Sequence, residues 1–331
     1  MNQRKNLLTG LLWSSLLLLL ILDSRTALTA ASAGIQLCLK TLIPSVFPFI
    51  FIGGFLCAAI RTIRCPLIEK CLKIPRYGFG YLLTGLICGY PVGAKTLQDA
   101  YRSGQIDRAT ASRMCCFCNN AGPAFIIGVL ASVFSSWKVS LIIWMIQILS
   151  AVITGILLPN STDTDFPVQN TSDINMYLQM KNTLSAVASI CGWVILFKVI
   201  LSYMDIWILP SLPKLTQCLL AGLLELANGL CMLSLIESDA LRFIAATAML
   251  SFGGMCVYFQ TKSLASELVD KHYILCKILQ SLIAIGLSMV AGYFLYGLEQ
   301  PILTISPLLI TATVILVLLL YFNKKMVAFS R

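Results

Sequence analysis

Two short polar segments interrupt apolar stretches in the first half of the chain, and the earlier one has residues that suit an anion. It contains Gly89, Pro91, Gly93 and Lys95 in the order Gly-Tyr-Pro-Val-Gly-Ala-Lys. Glycine and proline break helices, so we expect a new helix to begin near Pro91, with Lys95 in its first turn. A helix N-terminus and an ammonium group together form an anion site. Alternatively, Lys95 extends its charge to a polar interface.

The later segment contains Asn119, Asn120, Gly122 and Pro123 in the order Asn-Asn-Ala-Gly-Pro. Pro123 suits the first turn of a new half-helix after the break. Two side-chain amides inside an apolar stretch are costly unless they are hydrogen-bonded. The amides therefore either contact a ligand or cap the broken helix, and the sequence leaves both interpretations open.

A carboxylate lies in an apolar stretch of the second half. Glu225 and Asn228 are three residues apart in an apolar helix predicted over 223–229, so their side chains share one face. A carboxylate in such a segment is usually functional or paired. We expect Glu225 either to bind a coupling proton or cation, or to pair with Lys95 or Lys198.

A glycine pair, Gly253 and Gly254, repeats the pattern of a break followed by a helix, and Gln260 is the polar residue of that helix. Broken backbone inside apolar segments is tolerated where it is buried in protein or lines a cavity. We therefore expect the breaks of both halves to converge in one polar cavity, which Glu225 and Gln260 complete. A purely structural role for Gln260 stays open.

The composition places these segments in a membrane protein. Of 331 residues, 58% are hydrophobic and 11% are charged, whereas soluble domains have about 25% charged residues. The net charge of +10 comes from basic residues scattered at the ends of apolar segments. This distribution is typical of cytoplasmic loops and does not indicate nucleic acid as a partner.

We expect no bound metal, no cofactor and no enzymatic activity. The chain has 13 cysteines, mostly in apolar runs, and Cys115 and Cys118 have a C-x-x-C spacing. A metal or redox pair would need a second cysteine pair or nearby histidines, and the single histidine, His272, is far away in sequence. No credible pairing of a nucleophile with a base is visible.

Several apolar runs are long enough to cross a bilayer, which takes about 20 residues. They cover 7–22, 33–60, 137–158, 183–209, 273–298 and 302–322, with interrupted apolar regions at 77–134 and 215–264. An Ala-Ser-Ala triplet at 31–33 follows the first run, as in a signal peptide. Because the chain re-enters the membrane at once, we expect an uncleaved first helix instead.

The polar segment 159–180 divides the chain into two similar transmembrane halves, 1–158 and 181–331. Each half has a long span, an interrupted region and another span, and 83–87 resembles 220–224. Internal repeats are common in transporters. The predicted fold is an all-α integral membrane protein, a polytopic helical bundle of two similar halves, each with broken or re-entrant helices.

Loop charges predict the orientation. Basic residues near both ends place the N- and C-termini in the cytoplasm, and the segment 159–180, which has no lysine or arginine, lies outside. The same rule places Arg76, Lys138, Lys214 and Lys271 together on the inner face. That arrangement favours parallel over inverted halves, without excluding the latter.

The two first-half segments resemble the YlbJ-like sporulation integral membrane proteins of the nucleoside-recognition, or Gate, superfamily. The residues that carry the resemblance run from Gly89 to Lys95 and from Phe117 to Gly128, separated by a short amphipathic helix. Glycines near Glu225 and Gln260 match second-half features of that group. The resemblance covers nearly the whole chain.

The resemblance implies a multi-pass protein of the cell membrane with a role in endospore formation. It would transport dipicolinic acid, a small dicarboxylate, across a membrane that surrounds the forespore. Its substrate would therefore be a small anion, in agreement with an anion site at Lys95. The lipid bilayer is the second expected partner, and another copy of the chain is a further candidate. On this interpretation, Lys95→Ala abolishes transport and leaves protein levels intact.

Two alternatives stay open. The chain is a nucleoside or nucleobase carrier in which Asn119, Asn120 and Gln260 bind a neutral solute, or it is a membrane scaffold for spore assembly that transports nothing. A comparison of the uptake of anionic solutes with that of neutral solutes distinguishes an anion carrier from a nucleoside carrier. For a scaffold, changes to the buried polar residues alter stability only.

Overall fold

The computed structural model describes residues 2–60, 63–159 and 175–297. All regular secondary structure within these ranges is helical. Five of the helices described there are long and apolar enough to cross a membrane, and a bent pair raises the number to six. These helices confirm the predicted all-α, multi-pass membrane protein.

The helices follow one another with short connections. Up to the polar segment they are α1 Asn2–Leu22, α2 Ser24–Leu37, α3 Ile43–Ile60, α4 Pro66–Leu72, α5 Gly78–Cys88, α6 Val92–Arg102, α7 Arg108–Cys118, α8 Pro123–Leu130 and α9 Trp137–Leu157. After it they are α10 Met176–Trp207, α11 Lys214–Leu224, α12 Leu226–Met232, α13 Asp239–Phe252, α14 Gly254–Leu264 and α15 Lys271–Tyr296. A π-helical turn, Cys38–Leu42, joins α2 to α3.

Short polar side chains fix where many helices begin, because their oxygen atoms accept hydrogen bonds from the free amides of the first turn. The N-cap residues that do so are Asp23 for α2, Asp107 for α7, Asn175 for α10, Ser238 for α13 and Asp270 for α15. At the start of α7, for example, Thr110 N donates to Oδ1 of Asp107 at 2.7 Å.

The N-terminal helices differ from the predicted spans. The segments Trp13–Leu22 and Ser24–Leu42 are bent by 99° relative to each other. The predicted span 33–60 therefore begins too late, because the helix already starts at Ser24. The predicted span 302–322 and most of the polar segment lie outside the described residues.

Two pairs of short helices fold back on themselves as re-entrant hairpins. In the first, α5 and α6, the hydroxyl of Tyr81 donates to Oε1 of Gln105 at 2.7 Å, so the two ends lie side by side and the tip is at 89–91. In the second, α11 and α12, Cys218 Sγ lies 3.3 Å from the carbonyl oxygen of Met232. Neither pair crosses the bundle.

Facing glycines let the helices of each hairpin touch. A Cβ added to Gly93 would lie 2.9 Å from Cα of Gly85, and one added to Gly229 would lie 2.2 Å from Cα of Gly222. Real Cβ atoms do not approach other atoms so closely, so each crossing requires glycine. The residues matched by sequence, Gly85 and Gly222, therefore have the same role in the two hairpins.

The hairpins enter from opposite faces of the bundle. Between them, α7 and α8 form one apolar span, Arg108–Leu130, whose 23 residues are long enough to cross a bilayer core of about 30 Å. Arg102, which ends the first hairpin, and Arg108, which begins α7, both bind Glu267. The second hairpin meets the other end of this span, where Cys231 Sγ lies 3.9 Å from Ser132 Oγ.

This topology differs from the orientation that loop charges predict. One crossing, α7–α8, lies between Arg76 and Lys138, and one crossing, α13–α14, lies between Lys214 and Lys271. The four residues therefore cannot share a face. Each interrupted region combines a hairpin, which returns to its own face, with a broken helix, which crosses, and the charge rule cannot distinguish the two.

Gly85 tests the packing of the first hairpin. A Cβ at this position would lie 1.7 Å from the carbonyl oxygen of Cys118, so Gly85→Ala should destabilise the purified protein by about 1–3 kcal/mol or more. Gly286→Ala in α15 is the matched control, since no atom lies within 4 Å of its added Cβ. Equal thermal unfolding midpoints for both variants would contradict this packing.

Candidate functional site

The hairpin tips and helix breaks meet around one small cavity of about 50 Å³. Tyr90 contributes from the first tip, Glu225 from the second, Gly122 from the break before α8, and Gln260 from α14. Apolar side chains of α3, α8 and α10 complete the lining. Of the predicted site residues, Gly122, Glu225 and Gln260 line this cavity, whereas Gly93, Asn119 and Gly254 do not.

The first tip presents a buried hydroxyl to the cavity. The amide of Tyr90 donates to the carbonyl oxygen of Asn120 at 2.6 Å, and its ring packs edge-on against Phe125 with centroids 5.9 Å apart. Its hydroxyl is buried and has no hydrogen-bond partner among the described residues. A buried polar group of this kind is destabilising until it meets a partner, so the hydroxyl is available to a solute.

The second tip is capped by its own carboxylate. The expected continuous helix over 223–229 is wrong, because the backbone leaves the helical region at Glu225 and α12 begins after it. Oε1 of Glu225 accepts from Ala227 N at 3.1 Å, and Oε2 accepts from Asn228 N at 2.7 Å. Lys198 donates to Oδ1 of Asn228 and thus reaches Glu225 only indirectly.

Lys95 lies outside the cavity. It occupies the first turn of α6, as predicted, but its Nζ pairs with Oδ2 of Asp99 at 2.7 Å on the same helix. Lys95 is absent from the cavity lining. The structure thus corrects the predicted anion site, because the spacing of four residues places the carboxylate of Asp99 next to the ammonium group.

Asn119 closes the break between α7 and α8 and is completely buried. Its Oδ1 accepts from Ala94 N at 3.3 Å, which ties the break to the start of α6. Its Nδ2 donates to Thr261 Oγ1 at 3.1 Å and to the hydroxyl of Tyr273 at 2.8 Å. The amide thereby joins both halves of the chain.

Asn120 has an equally complete set of partners. Its Nδ2 donates to the carbonyl oxygen of Phe117 at 2.6 Å, and its Oδ1 accepts from Gln280 Nε2 at 2.7 Å. Lys277 Nζ, 3.3 Å from the same Oδ1, also donates to the carbonyl oxygen of Asn119. Of the two open interpretations, the geometry therefore favours capping of the break over contact with a ligand.

The remaining predicted site residues shape the backbone, with one exception. The residues that shape the backbone are Gly89, Pro91, Gly93, Gly122, Pro123, Gly253 and Gly254. The exception is Gln260, which lines the cavity and donates from Nε2 to Cys256 Sγ at 3.1 Å. Pro91 is the N-cap of α6, after a cis peptide bond, and Pro123 is the first residue of α8.

The glycines allow the tips to touch the breaks. Gly89 has φ +76°, and a Cβ there would lie 2.5 Å from Gly122 N. Gly254 has φ +78°, and its Cβ would lie 2.6 Å from the carbonyl oxygen of Gly222. Only glycine adopts such backbone angles without strain, so these positions hold each hairpin tightly against a broken helix.

The sequence analysis missed the buried residues of α15. Lys277 is only 4% exposed, although it lies in one of the apolar spans. Gln280 follows it by three residues and Tyr273 precedes it by four, so all three face the break. A lysine and a glutamine inside an apolar helix are the signal that would have revealed them.

Comparison with known proteins gives a partial match. No family model and no solved structure matches the chain. Over 107 residues it is 28% identical to the sporulation integral membrane protein YlbJ of Bacillus subtilis (strain 168). The match covers 31% of this chain and about a quarter of that relative's length. It supports a resemblance to YlbJ-like proteins over that part of the chain.

Tyr273 tests the closure of the break. Tyr273→Phe removes the hydroxyl that accepts from Asn119, so it should destabilise the protein by about 1–3 kcal/mol. Tyr258→Phe is the control, because within the described ranges that hydroxyl accepts from exposed Lys262 alone, at 3.4 Å, and we expect a change of about 0.5 kcal/mol or less. Similar losses in chemical denaturation of both variants would show that the contact is unimportant.

Proposed function

We propose that the chain is a membrane transporter, not an enzyme, that carries a small solute through the cavity between its two hairpin tips. The observation that supports this most strongly is that hairpins from opposite faces present Tyr90 and Glu225 to one cavity. Broken helices at membrane depth are characteristic of solute sites in secondary transporters. Each tip would then separate the cavity from one side of the membrane.

We further propose that 1–158 and 181–331 contain inverted copies of one unit. Helix α3, hairpin α5–α6, broken span α7–α8 and span α9 have the same order as α10, α11–α12, α13–α14 and α15. Both hairpins cross at glycines, and an inverted pair predicts their entry from opposite faces. The polar segment 159–180 would connect the two copies.

The cavity as described is too small for the proposed solute. Its volume is about 50 Å³, whereas sites for small organic molecules have roughly 300 Å³ or more. We therefore interpret this conformation as a closed state, and transport requires the tips to move away from the breaks. Because the tips touch the breaks through glycines, few side-chain contacts would have to break when the tips move.

The sporulation setting comes from the relative, whose name describes a sporulation integral membrane protein. We extend that setting to this chain and keep a small anion of the dipicolinate type as the first candidate solute. The first-turn amides of α8, at Ala124 and Phe125, lie at the cavity and suit a carboxylate.

Glu225 constrains how an anion enters. It is the carboxylate of the cavity lining, and that lining contains no lysine or arginine. Two like charges 4 Å apart repel by roughly 4 kcal/mol at an effective dielectric constant of about 20. A carboxylate solute would therefore bind away from Glu225, at the first-turn amides of α8.

A neutral nucleoside or nucleobase is the second candidate solute. The carboxylate of Glu225 and the amide of Gln260 suit sugar hydroxyls or base edges, and the rings of Tyr90 and Phe125 offer apolar faces. A neutral solute is not repelled by the charge of Glu225. The two candidates therefore differ in how strongly that charge affects transport.

Flux into vesicles that contain the purified protein tests the proposal. We expect saturable uptake of radiolabelled dipicolinate, because the first-turn amides of α8 suit its carboxylates. Faster uptake of uridine would favour the second candidate. If neither solute enters faster than into protein-free vesicles, the carrier proposal fails and the scaffold alternative gains support.

Glu225→Gln separates the role of the carboxylate from its shape. The amide keeps the size but carries no charge, so dipicolinate uptake by this variant should be faster, because the repulsion between the two carboxylates is removed. Glu237→Gln changes an exposed carboxylate and should behave as the unmodified protein does. Lys95→Ala should now retain transport, since Lys95 pairs with Asp99. Unchanged dipicolinate uptake in Glu225→Gln would show that the charge of Glu225 does not act on the solute.

A further inference from the structure

A buried cation without a counter-carboxylate lies at the break between α7 and α8. Lys277 is nearly inaccessible, and none of the ion pairs formed within the described ranges involves it. Its Nζ donates instead to three neutral oxygens, namely the carbonyl of Asn119, Oδ1 of Asn120 at 3.3 Å and Oε1 of Gln280 at 2.9 Å. The ring of Tyr273 lies on another side, with its centroid 5.7 Å from Nζ.

These oxygens form the kind of site that an alkali cation occupies. The carbonyl of Asn119 is at the C-cap of α7, where the helix dipole is negative. In transporters, unwound carbonyls and the C-terminal ends of half-helices coordinate Na⁺. The amide oxygens of Asn120 and Gln280 and the aromatic face of Tyr273 also attract a monovalent cation, and none of these groups carries a net charge.

We propose that the Lys277 ammonium is a covalently attached substitute for an alkali cation, so that the protein fills a monovalent-cation site with its own side chain. The break then keeps its closed geometry without an ion from solution. If the chain is the transporter proposed above, its cycle needs neither Na⁺ nor K⁺. Removing the lysine side chain should leave a vacant site that binds such an ion.

The Lys277 ammonium lies next to the contact that holds the first hairpin tip at the cavity. The ammonium binds the carbonyl of Asn119, and the next carbonyl, that of Asn120, accepts the amide of Tyr90 at the first hairpin tip. At the other break, between α13 and α14, an uncharged amide has the comparable position, with Gln147 Nε2 donating to the carbonyl of Leu250 at 3.1 Å. The cation thus belongs to the break that supports the first tip.

Thermal unfolding in different salts tests the proposal with the full-length protein in detergent. The unmodified protein should have the same midpoint in NaCl, KCl and choline chloride at equal ionic strength. Lys277→Ala should have a clearly lower midpoint in choline chloride and recover about 5 °C, with a saturable dependence, as Na⁺ or K⁺ replaces choline. Lys277→Met fills the space without a charge, so its midpoint should stay low in every salt.

Lys262→Ala is the matched control, since that lysine is exposed on α14, and it should show no preference among the salts. The proposal is overturned if Lys277→Ala shows no recovery specific to Na⁺ or K⁺, or if Lys277→Met is as stable as the unmodified protein. If Lys277→Ala does not fold, Lys277→Ser is measured in the same way, and failure of both in NaCl also overturns it. Because unfolding involves no transport, a negative flux result leaves this test unaffected.

Discussion

The fold depends on satisfying the unwound backbone between α7 and α8 at membrane depth. Lipid offers no hydrogen bonds, so each group freed at Asn119 and Asn120 needs a partner from the protein. The side chains of both residues, together with Lys277 and Gln280 from α15, supply those partners in a buried network. Without that network, a break inside an apolar span would be too costly to persist.

The network also determines where the cavity lies. The carbonyl of Asn120 holds the amide of Tyr90, and Oδ1 of Asn119 holds the amide of Ala94, so the first hairpin is attached to the break on both sides of its tip. In the second hairpin, the free amides at the start of α12 are capped by Glu225 of the same hairpin. One tip therefore depends on a distant span and the other on a local carboxylate, and the cavity lies between them.

The sequence predicts the local features of this arrangement and misses the distant ones. Glycine, proline and asparagine mark the breaks, because their backbone preferences act within a few residues. Lys95 and Asp99 are four residues apart on one helix, a local spacing that by itself indicates an ion pair. The contact between Lys277 and Asn119 spans 158 residues, and no local pattern could indicate it. Loop charges do not distinguish a re-entrant hairpin from a crossing span, because the two have similar apolar composition.

The central claim is that the two hairpins enter from opposite faces, and sided labelling tests it most directly. Single cysteines replace Ser103, at the base of the first hairpin, and Ser234, at the base of the second. Beforehand, the native cysteines that are exposed among the described side chains, Cys71 and Cys231, are removed. An impermeant maleimide added outside sealed vesicles of uniform orientation should label one position, and label the other only after the membrane is opened. Labelling of both positions from the same side would contradict the account.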